Sequence, residues 1–213
     1  MVGTKAWAQA TIGLTQPLDH TAKTVGNFTL TDIDNATVTE TLGSAITKFT
    51  SKEIKPSLNG TQYVNTGNQD CYRKSVKDTY ENQNVGYKVS IASGYKMSIS
   101  NVKAQIMVAD DTYTWYVEIT DANGTSLYKS AEQTTTKKVT ASLDATTALE
   151  DITGSCNVNM WVKQGGSTKY FCVPYLTVDV TLSADARETK TLTTSVTPEG
   201  AGTVTPSGTT DVI

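Results

Sequence analysis

The chain has one histidine in 213 residues. His20 sits in "TQPLDHTAK" with no nucleophile motif beside it, so Ser-His-Asp or Cys-His catalysis has no foothold and a solvated loop histidine is expected. Cysteine is nearly as scarce. Cys71, Cys156 and Cys172 are an odd number for a disulfide framework, and they lack the paired spacing of a zinc site. Charge is thin as well, at 18% of residues with a formal net charge of −3. The lysines are scattered, which leaves no electrostatic footprint for a phosphate backbone and excludes nucleic acid as a partner. The sequence has no apolar run long enough for a membrane-spanning helix, and its opening lacks the basic-then-apolar order of a signal peptide. Neither membrane insertion nor a cofactor is expected.

Threonine is very abundant and valine and tyrosine are frequent, with only five prolines. That β-branched and aromatic enrichment favours strands over helices. The strongest signal is period-2 alternation broken by turns, in "KAWAQATIGL", "NFTLTDI", "ATVTETL", "GYKVSIA", "YKMSIS", "VKAQIMVA", "YTWYVEIT", "SLYKSA", "KKVTASL", "CNVNMWVK", "KYFCV" and "LTVDVTL". About twelve strands exceed what one sheet holds comfortably. The fold class is therefore all-β, a two-sheet β-sandwich of jelly-roll or immunoglobulin-like type. One helix-like exception is "LDATTALEDITG", where Asp144 can cap and Gly154 can terminate a turn or two of helix. Asn65 to Gly86 is the longest polar stretch and reads as a loop or irregular edge.

Two hairpins follow from pattern and turn chemistry. In "YTWYVEITDANGTSLYKSA", a three-residue loop with Gly124 in the left-handed region pairs Leu127 with Ile119 and keeps the apolar faces in phase. Tyr113, Trp115, Val117 and Ile119 then face the core, and Tyr116 and Glu118 face out. In "CNVNMWVKQGGSTKYFCV", a Gly165-Gly166 turn puts Val158, Met160, Val162, Phe171 and Val173 on one face and sets Trp161 across from Tyr170 on the other. That register leaves Cys156 and Cys172 three residues out of step, roughly 10 Å along a strand, beyond disulfide reach. All three thiols are accordingly expected to be unbridged.

The domain plan is a sandwich over residues 1–184, with residues 1–55 as a possible separate arm, a polar linker at 185–190 and a further β segment at 191–213. "TKTLTTSVTPEGAGTVTPSGTTDV", Thr189 to Val212, resembles the opening of the internalin-type B-repeat of secreted and surface bacterial proteins, through "VTPEGAGTV" and the "PSG" turn. The resemblance implies an exported multidomain protein of which this sequence is a fragment, with the repeat truncated and further domains missing. "VGYKVSIASGYKMSISNVKAQIMVADDTYTWYVEITDANGTSLYKS", Val85 to Ser130, resembles β-sandwich modules attached to secreted polysaccharide-degrading enzymes of Bacteroidetes, through the "ASGYKMSISNV" strand pair and the Tyr/Trp-rich strand after it. It implies a carbohydrate-associated accessory role at the cell surface or in the secreted fraction.

The residues allow a site of that kind. A sugar ring stacks its apolar face on flat aromatics while its hydroxyls seek amides and charges. Trp161, Tyr170, Asn157, Asn159 and Lys163 supply both kinds of group and are the candidate carbohydrate-binding residues; Tyr116 and Tyr128 are weaker candidates. No catalytic or metal-binding residue is assigned. Asp110, Asp111, Glu118 and Asp121 are the carboxylates a glycosidase would need, but turns collect aspartate for their own reasons. Asp32, Asp34 and Asn35 offer alternate oxygens without the glycine and closing glutamate of a calcium loop. The expected function is a non-catalytic, carbohydrate-binding accessory module, and the alternative is an architectural or adhesive spacer without glycan affinity.

Overall fold

A computed structural model describes residues 9–49, 55–65, 71–74, 78–109, 111–139, 141–164, 170–185, 190–192 and 210–212, and every regular element among them is a strand. The chain divides into two compact units, Met1–Ser183 and Ala184–Ile213. The first begins with β1 (Gln9–Thr15), β2 (Leu18–Asp19), β3 (Thr24–Val25), β4 (Thr29–Thr31), β5 (Ala36–Leu42) and β6 (Ile46–Phe49). Four short strands follow, β7 (Ser57–Leu58), β8 (Thr61–Gln62), β9 (Val64–Asn65) and β10 (Cys71–Lys74). The longer strands are β11 (Asn84–Ile91), β12 (Tyr95–Val108), β13 (Thr112–Asp121), β16 (Ser142–Ile152), β17 (Ser155–Gln164) and β18 (Tyr170–Ala184), with the short β14 (Ser126–Lys129) and β15 (Gln133–Thr136) between them. In the second unit β19 (Lys190–Leu192) pairs antiparallel with β20 (Thr210–Val212). The repeat-like core from Val196 to Gly208 lies outside the described residues.

One sheet runs β4-β1-β18-β12, with β16 and β7 sharing the far edge of β12 and β10 sharing the edge of β18 with β1. The second runs β14-β13-β17-β11-β5, with β15 also on β13. Count β1, β11, β12, β13, β14, β16, β17 and β18 as strands one to eight. The first sheet then has the order one-eight-three-six and the second two-seven-four-five, the wrapped double ribbon of a jelly roll. β1 and β5, both within the first fifty-five residues, are hydrogen-bonded into these sheets.

Alternation decides which side chains meet between the sheets. Tyr113, Trp115, Val117 and Ile119 of β13 and Val158, Met160 and Val162 of β17 all point inward and are fully buried. They meet Ile12 and Leu14 of β1, Val102, Ala104 and Ile106 of β12, and Val178 and Val180 of β18. β18 changes phase once, from Phe171 and Val173 to Leu176, Val178 and Val180. The change falls at Pro174, which has no N–H to give a ladder. There β18 exchanges β10 for β1 along the same edge, and the Pro174 carbonyl accepts the Gln16 N–H at 2.6 Å.

Four expectations need correction. The Gly165-Gly166 turn lies outside the described residues, and the strands that flank it, β17 and β18, do not pair. β17 lies between β11 and β13 in the second sheet, whereas β18 belongs to the first. Each strand has an apolar face that satisfies either arrangement, and the jelly-roll path carries the chain across the core instead of back along its own edge. The helix-like "LDATTALEDITG" is strand β16, paired with β12 so that Asp144 lies opposite Lys103. Its Leu143, Ala145, Thr147 and Leu149 follow period two, and two register irregularities absorb the mismatch with β12. The polar stretch Asn65 to Gly86 contributes β10 and the start of β11. In the β13–β14 hairpin the three-residue loop is present, with Gly124 at φ +85° and the Asp121 N–H donating to the Thr125 carbonyl. A bulge nevertheless sets Ile119 opposite Tyr128 and leaves Leu127 exposed.

A second, smaller apolar cluster sits on the outer side of the first sheet. It gathers Val25, Tyr63, Cys71, Met107 and Cys172, with Leu18, Leu58 and Tyr170 against it. Met107 and Cys172 each lie between two core-facing neighbours, so alternation turns them outward, and the short sheet β2-β3-β9 supplies their cover. All three cysteines are unbridged here, as expected, yet Cys71 and Cys172 bring their Sγ atoms to 2.7 Å, an approach the sequence did not announce. The hairpin register tested only Cys156 against Cys172; it contained no sign that β10 runs beside β18.

Candidate functional site

The outer face of the second sheet carries a cluster of aromatic and charged side chains. Tyr116 of β13 and Trp161 of β17 are register partners, and their rings lie 6.4 Å apart at 22°, nearly parallel. Cross-strand neighbours on one face of an antiparallel pair approach in this way, and large rings fill the gap between strands. Tyr80, from the segment leading into β11, sets its ring edge against Tyr116 at 4.8 Å. Lys129 holds its Nζ 4.2 Å from the Tyr116 ring centre, and Lys163 holds its Nζ 4.8 Å from that of Tyr80. Both contacts are cation–π in geometry.

Burial raises the Tyr80 phenol well above its ordinary pKa, and an acceptor contact with Glu132 adds to the effect. Tyr116 is also raised, chiefly by burial, with Lys129 opposing. Both phenols therefore remain O–H groups at neutral pH. Tyr116 is only 8% exposed, because Tyr80 and Lys129 cover it. Trp161 is half-buried, and its Nε1 has no hydrogen-bond partner among the described residues.

Four of the five expected binding residues, Asn157, Asn159, Trp161 and Lys163, share this face of β17, as alternation requires. Their duties differ. The Asn159 Oδ1 accepts from Asn84 Nδ2 at 2.9 Å and Thr41 Oγ1 at 3.2 Å, so this amide ties β17 to β11 and β5. Asn157 Nδ2 donates to Thr120 Oγ1 at 3.5 Å and is only half-buried. Tyr170 is not part of the site. It lies on β18 of the other sheet, opposite Arg73 and packed against the small outer cluster. Trp161 faces Asn84 and Tyr116 instead. Sequence reading missed Tyr80, an aromatic in a polar stretch where no period-2 pattern reports direction.

No family model and no curated protein matches the chain. Among solved structures, the enzymatically active domain of tailspike protein 4 of bacteriophage CBA120 is similar over 72% of this chain, with 10% sequence identity and a TM-score of 0.30. The matched region covers 20% of that tailspike chain, so the present chain spans about a fifth of its length.

The other candidate residues have local roles. Asp111 accepts from Gln164 Nε2 at 2.6 Å, and Asp121 accepts the backbone N–H groups of Asn123 and Thr125, which closes the β13–β14 turn. Asp111 precedes and Asp121 ends the ten-residue strand β13, so they are separated by roughly 30 Å at strand rise, against about 5–10 Å for a glycosidase pair. Asp110 lies outside the described residues. Asp34 and Asn35 form a two-residue turn closed by the Ile33–Ala36 bridge, with Asn35 at φ +67°. His20 is an exposed loop residue whose Nδ1 lies 2.8 Å from the Tyr63 hydroxyl. Among the described residues, no group of three or more His, Cys, Asp or Glu gathers as metal ligands.

Proposed function

We propose that the jelly roll is a non-catalytic, carbohydrate-binding accessory module of an exported multidomain protein, and that the β13/β17 outer face is its binding surface. The observation that supports this reading is the near-parallel Tyr116–Trp161 pair on an outward face. Tyr116 is locked in place by its neighbours, which leaves Trp161 as the ring available to a sugar's apolar face. On the same strand face Lys163 stands two residues after Trp161 and Asn157 four before it, roughly 7 and 13 Å along the strand. Lys163 can therefore meet a hydroxyl of a stacked pyranose, and Asn157 one of a neighbouring sugar unit. The Tyr116 O–H, kept protonated by burial, adds a donor.

Affinity electrophoresis against a panel of plant and host polysaccharides, followed by calorimetry on any that retards the protein, tests the proposal. Wild-type protein is expected to be retarded by at least one polysaccharide. Trp161→Ala should weaken that binding at least about tenfold, or ~1.4 kcal/mol, while its thermal melt stays near the parent's. Unchanged mobility across the whole panel retires the proposal and leaves the architectural or adhesive spacer as the reading.

A further inference from the structure

The structure assigns a disulfide between Cys71 and Cys172. The two Sγ atoms lie 2.7 Å apart, and both residues are fully buried in the outer cluster with Val25, Tyr63 and Met107. The β10–β18 ladder pairs Tyr72 with Phe171 and Arg73 with Tyr170. Continuing that antiparallel register one step sets Cys71 directly across from Cys172, so both side chains leave their strands on the same face. Directly opposed residues of an antiparallel pair have Cβ atoms about 4.5–5.5 Å apart, at the edge of the range a disulfide spans. From 2.7 Å the pair therefore needs only a small closing movement of the two side chains.

The step is an ordinary thiol–disulfide exchange. The Cys71 and Cys172 S–H bonds give up two protons and two electrons, one Sγ–Sγ bond forms, and a disulfide donor, either a small-molecule disulfide or an oxidoreductase, is reduced to two thiols. A donor of that kind maintains disulfides in the oxidising compartments outside the cytosol. Since both sulfurs are sealed in the folded protein, the bond is made before the outer cluster closes, and reductant reaches it only on unfolding. The bond would close a loop over a sequence separation of 101 residues and fix the four-residue β10 to the longest strand of the fold. Cys156 is left as the one thiol outside the pair; it lies on β17 of the other sheet and is itself buried.

The test uses the whole chain, refolded from urea in a glutathione redox buffer at the poise of an oxidising compartment, then unfolded again and alkylated. The expected intact mass shows one alkylated cysteine and the loss of two hydrogens, and a non-reduced peptide map shows the Cys71 peptide joined to that of Cys172. Reduction should require denaturant and lower Tm by about 10 °C. Cys156→Ser should leave the linkage in place, and the double variant Cys71→Ala, Cys172→Ala should melt like the reduced protein and no longer respond to reductant. Three alkylated cysteines under oxidising conditions, or a linkage that involves Cys156, overturns the assignment.

Discussion

Replacing Gly86 with alanine probes the packing that holds the candidate surface flat. Gly86 of β11 pairs with Asn159 of β17. A methyl there would lie 2.5 Å from Asn159 Oδ1 and 2.8 Å from its Cα, and closer still to the Val158 carbonyl oxygen. Two of these three obstacles are backbone atoms of a core strand, so no rotamer change removes them. Overpacking of this kind costs about 1–3 kcal/mol. If the Asn159 amide is driven aside, its bonds to Asn84 and Thr41 go with it, at roughly 0.5–1.5 kcal/mol each. The sum is about 2–6 kcal/mol, and for a chain of this size Tm should drop by about 4–24 °C. Calorimetric melts of Gly86→Ala would be compared with Asn159→Ala, which removes the two bonds alone and should lose about 1–3 kcal/mol. Lys88→Ala, on the same strand and exposed, serves as the neutral control. A Gly86→Ala melt within about 1 °C of the parent would be an ordinary surface effect and would refute the close approach of β11 to β17.

Two further outcomes follow from ionisable groups. Asp179 is held below the usual carboxylate range, first by Thr11 and then by Asn101, with Lys103 adding a smaller effect; Thr11 Oγ1 donates at 2.5 Å and Asn101 Nδ2 at 3.0 Å. A depressed folded pKa means that the unfolded chain binds the proton more readily, so the contribution is complete above the unfolded pKa near about 4 and is lost as pH falls through the lower folded value. Asp179→Asn should therefore destabilise at pH 7 and show a shallower loss of stability between about pH 5 and 2 in urea titrations; parallel pH profiles would refute the assignment. Burial pushes the Cys156 thiol up to about 12. It should resist a thiol reagent in native buffer at neutral pH and react within the dead time in urea, and rapid native labelling would contradict its burial.

Much of the fold could be read in advance because alternation is a local signal. "ATVTETL" coincides with β5, and the inward set of β13 was legible residue by residue, since polar and apolar side chains take turns along each strand. Partner choice was not legible, because it depends on contacts far away in sequence. β17 and β18 have apolar faces compatible with a hairpin, yet the best cover for each lies on strands that arrive much earlier in the chain. For the same reason Trp161 could be placed on the correct face but given the wrong neighbour. Tyr80 lay in polar sequence, and β10 is too short for alternation to register. The Cys71–Cys172 approach combines both difficulties, since it needs β10 to exist and to run beside β18.

A jelly roll offers two outer faces, and here the chain treats them differently. On the first sheet, the end around Met107 and Cys172 is covered by the chain's own short strands, and the Asp179 region is occupied by hydrogen bonds to Thr11 and Asn101 and by Lys103. On the second sheet, aromatic rings stand where an outward face would ordinarily carry only small polar groups. Leaving part of an indole in water sacrifices burial that an inward position would have given, at about 25 cal/mol per Å² of apolar surface. Among the described residues Tyr116 is the only ring stacked on Trp161, so the exposed part of the indole is not covered by it. A ligand with an apolar ring face and a rim of hydroxyls would recover that burial. On the carbohydrate-binding proposal, the surface that is costly for the isolated fold is the one where a sugar would have most to contribute, which locates the Trp161→Ala comparison on the second sheet and not the first.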